Sequence, residues 1–133
     1  MPDKTSVRLA RIAYVAFAWL FTASIAVQVL IAGMALFVDS DSWASHASFA
    51  RYFSFLPLLM ALLAWIARMP KKVIWRSIGL FGMILGMFIT AILSSRIGAL
   101  SALHPVIALL LFWGSTVILR SSSKSVKSPA SAI

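Results

Sequence analysis

The chain is predicted to be all-α: a polytopic membrane protein, a four-helix transmembrane bundle with its N and C termini cytoplasmic. Three observations predict this. Hydrophobic residues fill 62% of the 133 positions and charged residues only 11%, against roughly 25% charged in a soluble domain, so lipid must cover most of the surface. The sequence falls into four long apolar runs, three of them uncharged and the second interrupted by Arg51, joined by short polar links, and about 20 apolar residues in a helix cross about 30 Å of hydrocarbon. Basic residues crowd alternate links, the signature of a chain that crosses back and forth.

The first span is predicted over residues 12–38, a run without charge behind a basic arm holding Lys4, Arg8 and Arg11. A signal peptide has an apolar region of only about 7–15 residues, so this run is a span. Ser24, Gln28, Ala32, Ala35 and Asp39 share one helical face, small and polar, on its outer half. A polar break at Asp39–Ser42 leads to the second span, residues 43–67, which Ser42 or Ser45 is suited to cap. Arg51 interrupts this span and is expected to snorkel to the interface. Pro57 is expected to kink it, because proline lacks an N–H and crowds the carbonyl of Phe53. A basic turn from Arg68 to Lys72 precedes the third span, residues 73–95. Here Gly82, Gly86, Thr90 and Ser94 recur at every fourth position, a ridge of small side chains on which another helix can pack closely. The fourth span, residues 99–119, opens on LHPVIALLLF, Leu103–Phe112. Residues 1–120 form one domain, and residues 121–133, polar and serine-rich, are expected to be a disordered cytoplasmic tail.

Charge orients the spans. Lys4, Arg8 and Arg11, then Arg68, Lys71, Lys72 and Arg76, then Arg120, Lys124 and Lys127 put ten of the twelve basic residues at one end. Arg51 and Arg96 are at the other end with Asp39 and Asp41. Basic excess marks the cytoplasmic side, which places both termini there and the protein in the cell membrane. The net charge of +9 is thereby explained by topology and by contact with anionic lipid headgroups. No nucleic-acid-binding motif accompanies it, so nucleic acid is not an expected partner.

Polar groups at membrane depth are costly and are the natural functional candidates. They are Gln28, His46, Arg51 and His104. There is no cysteine, no Asp or Glu inside a span, no nucleophile–base arrangement and no phosphate-binding loop. Enzymatic activity is therefore not expected, and cation-coupled transport lacks its usual carboxylate. The topology sets His46 and His104 at matching depth on spans two and four. Each has a structural reading, as a group bonding at a helix mouth. For His104 this means bonding the free N–H groups of a helix started by Pro105. The pair also has a cofactor reading, as ligands of one haem iron or one metal ion, with Gln28 or Arg51 contacting the haem's carboxylates. The sequence favours the structural reading. The leading function is then a non-catalytic accessory or interaction subunit that pairs with itself, through the third-span ridge, or with another membrane protein. The alternative is a haem- or metal-binding electron-transfer protein using His46 and His104. The second alternative is a small-solute channel or transporter with Gln28 and Arg51 along the path.

The chain resembles an uncharacterised family of small bacterial four-span membrane proteins. The resemblance rests on AYVAFAWLF, Gln28 and Ala32-Gly33 in the first span, Trp43 and His46 entering the second, and LHPVIALLLF opening the fourth. It extends from Ala13 to Leu119. Such proteins usually carry an amide residue two places after the proline, where this chain has Ile107, and a glutamine and proline late in the third span, where it has Thr90. The resemblance implies the four-span architecture and implies no activity.

Overall fold

In the computed structural model, which describes residues 3–127, the chain is helical almost throughout and has no strand among the described residues. Its helices are α1 (Lys4–Phe37), α2 (Ser42–Phe53), α3 (Leu56–Ile66), α4 (Lys71–Ile92), the short α5 (Ser94–Ile97) and α6 (Leu103–Lys127), with a 3-10 turn at Gly98–Ala102. Four segments are long and apolar enough to cross a membrane: α1, α2 with α3 (Ser42–Ile66), α4, and Ser94–Ser122, which takes in α5 and most of α6. Four such helices are what the all-α, four-span fold class requires, and they follow one another in order along the chain.

Local chemistry sets the ends of the helices. Asp3 caps α1, its Oδ1 accepting from the Ser6 N–H at 2.7 Å, so α1 begins well before the uncharged run. The link to α2 is organised by Asp39, not by the serines. Its Oδ1 accepts from the Asp41 N–H at 3.0 Å and its carbonyl from the Ser42 N–H at 3.1 Å. The second span breaks at Ser54–Phe55, between α2 and α3, where Pro57 cannot bond back to Phe53. At its far end, Arg68 takes a positive φ of 51°. The Met69 N–H returns to the Ala64 carbonyl at 2.9 Å and the Arg68 N–H to Trp65 at 3.1 Å, a helix-ending pair of bonds that reverses the chain within a few residues. Gly98 also needs positive φ, at 54°, where it ends α5.

Helix α6 continues to Lys127, seven residues into the stretch assigned above to a disordered tail. The serines there do not break it. Ser121 folds its hydroxyl back to the Ile118 carbonyl at 2.9 Å, and Ser122 is buried beside Tyr14. A serine whose hydroxyl is met inside the helix, as that of Ser121 is, no longer competes with it, whereas Ser122 Oγ is buried without a hydrogen-bond partner. The rest of the assigned tail, residues 128–133, lies outside the described residues.

The spans close into a ring. α1 packs on α2, α3 and α6, and α4 packs on α3 and α6. One half is dense. Tyr14, Phe21, Met60, Ser77 and Ile118 are buried there almost completely, and the Tyr14 hydroxyl meets Ser77 Oγ at 3.1 Å. Arg11 crosses to the Ala67 carbonyl at 3.4 Å and ties α1 to the end of α3. The other half is open. There α2 packs chiefly on α1, while α3, below the break, packs on both α1 and α4.

The small-residue ridge of the third span does not act as one face. Gly82 is exposed and a Cβ there would meet nothing within 4 Å. Gly86 turns toward Ile107 of α6, Thr90 is buried against His104, and Ser94 already belongs to α5. The glycine in closest contact is Gly114 of α6, where a Cβ would lie 3.2 Å from Leu80 of α4.

Candidate functional site

Where α2 leans away from α4, the helices line a half-open cavity of about 1170 Å³. Its floor is Ile25, Ile84 and Leu111, and its walls come from α1, α2, α4 and α6. Six alanines line it: Ala26, Ala32, Ala47, Ala50, Ala91 and Ala108. Their small side chains leave the space that larger ones fill elsewhere. Gln28, His46, Arg51 and His104, the four polar candidates of the sequence, all reach its surface.

His46 and His104 meet across this cavity. Their ring centroids are 6.4 Å apart and the planes tilt by 51°. They come from the second and fourth spans, neighbours of α1 on opposite sides. His46 Nδ1 lies 3.2 Å from the carbonyl of Gln28. His104 Nδ1 lies 3.1 Å from the carbonyl of Met87 and 3.2 Å from Thr90 Oγ1. A carbonyl only accepts, so in both rings Nδ1 carries the proton and donates it. Thr90 donates its own proton to the Met87 carbonyl at 2.9 Å, leaving its oxygen to accept from His104. Each neutral imidazole then keeps an Nε2 lone pair that these bonds do not use. This is the tautomer that metal-ligating histidines show, with Nδ1–H held by a carbonyl.

The surrounding polar groups hold the rings in place. Gln28 donates through Nε2 to the His46 carbonyl at 2.7 Å, so α1 and α2 are bonded reciprocally through one residue pair. Its Oε1 is buried and has no hydrogen-bond partner. Trp43 stands edge-on to His46 with centroids 5.5 Å apart. Arg51 is exposed at the cavity edge and donates to Ser48 Oγ at 3.2 Å. No ion pair joins it to Asp39 or Asp41 among the described residues.

The structure thus brings the four polar candidates together and changes one detail. His104 does not bond the N–H groups of its own first turn. Its Nδ1 reaches across to α4, because Thr90 and the Met87 carbonyl offer partners at the depth where α6 begins. Met87, Thr90 and Trp43 are the participants that sequence reasoning missed. Thr90 was legible as a small residue on a ridge, Trp43 only as a residue entering the second span with His46, and a backbone acceptor such as Met87 leaves no mark in the sequence.

Residues 28–95 match the model of DUF6220, a family of unknown function. The match takes in Gln28, His46 and Thr90 and stops before His104. No curated protein and no solved structure matches the chain. Since the matched segment covers more than half of the 133 residues, this four-span chain belongs to the DUF6220 family.

Proposed function

We propose that the chain is a membrane-embedded binding protein that holds a lipophilic small molecule between its helices. The observation that carries this reading is the cavity itself. It exceeds the roughly 300–1,000 Å³ of ordinary small-molecule sites, its walls are apolar, and four polar side chains from three helices converge on it. An apolar container with a few fixed polar groups is the arrangement that buries a ligand and orients it. The accessory role suggested by the sequence has no comparable support: of the ridge it relied on, Gly82 is exposed, Gly86 turns toward Ile107 and Thr90 lies against His104.

The cavity lies at the end of the bundle opposite the ten clustered basic residues. The basic end is taken as cytoplasmic, which turns the cavity toward the outer face of the cell membrane. Single cysteines, clean probes in a chain without any, test this. At position 41 the thiol should react with an impermeant maleimide on whole cells, and at position 71 only after lysis. The opposite pattern would invert the protein.

Occupancy of the cavity is tested by native mass spectrometry of the full chain extracted in mild detergent. One small molecule per chain should survive removal of the micelle. Ala108→Trp, which fills the cavity from α6, should lower the retained fraction about tenfold or more, a loss equivalent to about 1.4 kcal/mol. Equal retention by a folded Ala108→Trp protein, or no retained molecule in the wild type, would refute the reading.

A further inference from the structure

We infer that the ligand of this cavity is a metal-centred macrocycle of the haem class, held by His46 and His104 as axial ligands on its two faces. The inference rests on the cavity being a ligand site and adds its chemistry.

The two Nε2 lone pairs are the first argument. Each ring is fixed through Nδ1 on the backbone of a neighbouring helix, so its free nitrogen is set by tertiary structure and not by a mobile side chain. Two such nitrogens, on rings that meet across one cavity, offer a Lewis acid two donors. A metal–nitrogen bond to histidine is about 2.0–2.1 Å. Two of these, with the half-width of each ring, fill a separation of the observed order, 6.4 Å between centroids.

Ligand number then separates a bare ion from a macrocycle. Zinc in a structural site takes four protein ligands and in a catalytic site three. No group of three or more His, Cys, Asp or Glu able to hold a metal occurs among the described residues. A haem iron brings its four equatorial nitrogens and asks the protein only for the axial positions. Two histidines suffice for that, and for little else a metal requires.

Shape and charge agree. A planar macrocycle is wide and apolar, and the cavity is both, its alanines leaving room between α2 and α4. The carboxylates at the rim of a haem need a cation near the cavity edge. Arg51 stands there, lining the cavity, with no acidic partner among the described residues. The guanidinium is suited to bidentate binding of a carboxylate. Thr90 and Gln28 become positioning residues, one beside the His104 Nδ1–H and the other clamping α2 to α1 through His46.

With both axial positions filled by protein, the metal has no open site. Three measurements on the full chain in detergent test the assignment. Titration with ferric haem should end at one equivalent and give a low-spin, six-coordinate spectrum. Carbon monoxide should leave the spectrum of the reduced complex unchanged. Metal-free protoporphyrin, which has the same rim and plane but no axial bonds to make, should bind weaker by about tenfold or more. His46→Ala and His104→Ala should each convert the complex to a five-coordinate, carbon-monoxide-reactive form. If those variants do not fold, His104→Met, which keeps an axial donor, should retain haem with an altered axial signature. Equal affinity for the metal-free ring, or an unchanged spectrum in the histidine variants, would overturn the assignment. If the native molecule seen by mass spectrometry is retained and haem does not bind, the haem assignment falls and the binding-protein reading stands. If neither binds, both fall.

Discussion

Pro57→Ala should close the cavity. Proline at this position removes the hydrogen bond that residue 57 would make to the Phe53 carbonyl and pushes that carbonyl aside. The second span answers by breaking at Ser54–Phe55, and α2 leaves α4 to rest on α1. Alanine restores the donor and is the best helix former, so α2 and α3 should fuse into one straight helix that swings toward α4. The stability gain should be well short of the roughly 3 kcal/mol that a proline costs in a helix interior, because Pro57 already sits in the first turn of α3, where proline is tolerated. The effect is on geometry. Spin labels at Ser45 and Leu93, both exposed, should approach each other, and the retained small molecule should fall about tenfold or more. An unchanged label distance with unchanged occupancy would show that the kink does not hold the cavity open.

The second large effect separates two glycines that look alike in sequence. Gly114→Leu should destabilise the bundle, while Gly82→Leu should be neutral or stabilising. Both substitutions gain the same helix propensity, about 0.8–1.0 kcal/mol over glycine. They differ in what the side chain meets. At Gly114 a Cβ alone would approach Leu80 Cδ2 to 3.2 Å and Met83 Cε to 3.6 Å, and Leu80 is 2% exposed in the packed core. A leucine there must push α4 and α6 apart, and overpacking of this kind costs about 1–3 kcal/mol. At Gly82 nothing lies within 4 Å, so a leucine joins the lipid-facing surface. Thermal unfolding of the two variants in the same detergent should give a lower midpoint for Gly114→Leu. Equal midpoints would mean that the α4–α6 contact is loose. A change of oligomeric state in Gly82→Leu alone would restore a role for that face in self-association.

Architecture was largely legible. The four spans follow from the cost of placing charge in hydrocarbon, which is a local and additive quantity. The break at Pro57 follows from a missing N–H, also local. Helix α6 runs on past Arg120 for a local reason too: serine competes with the backbone when its hydroxyl is free, and the Ser121 hydroxyl is taken up by the Ile118 carbonyl inside the helix.

The candidate site was half legible. Gln28, His46, Arg51 and His104 stand out because polar side chains at depth are rare, and matching the spans by length sets the two histidines at one level. Depth does not give azimuth. In water an amphipathic stripe tells which face of a helix packs. In lipid both faces are apolar, and close packing, not hydrophobicity, decides. Leu109 is 72% exposed and Leu111, two residues on, is 2% exposed, with nothing in their chemistry to tell them apart. So the sequence by itself determined how many helices there are, how long they are and where one bends, because these depend on transfer into lipid and on the backbone. Only the tertiary structure decided that His46 and His104 face one another, that Gln28 and Met87 lend them carbonyls, and that Gly114 marks the tight contact. Each of these depends on how one helix is rotated against the next.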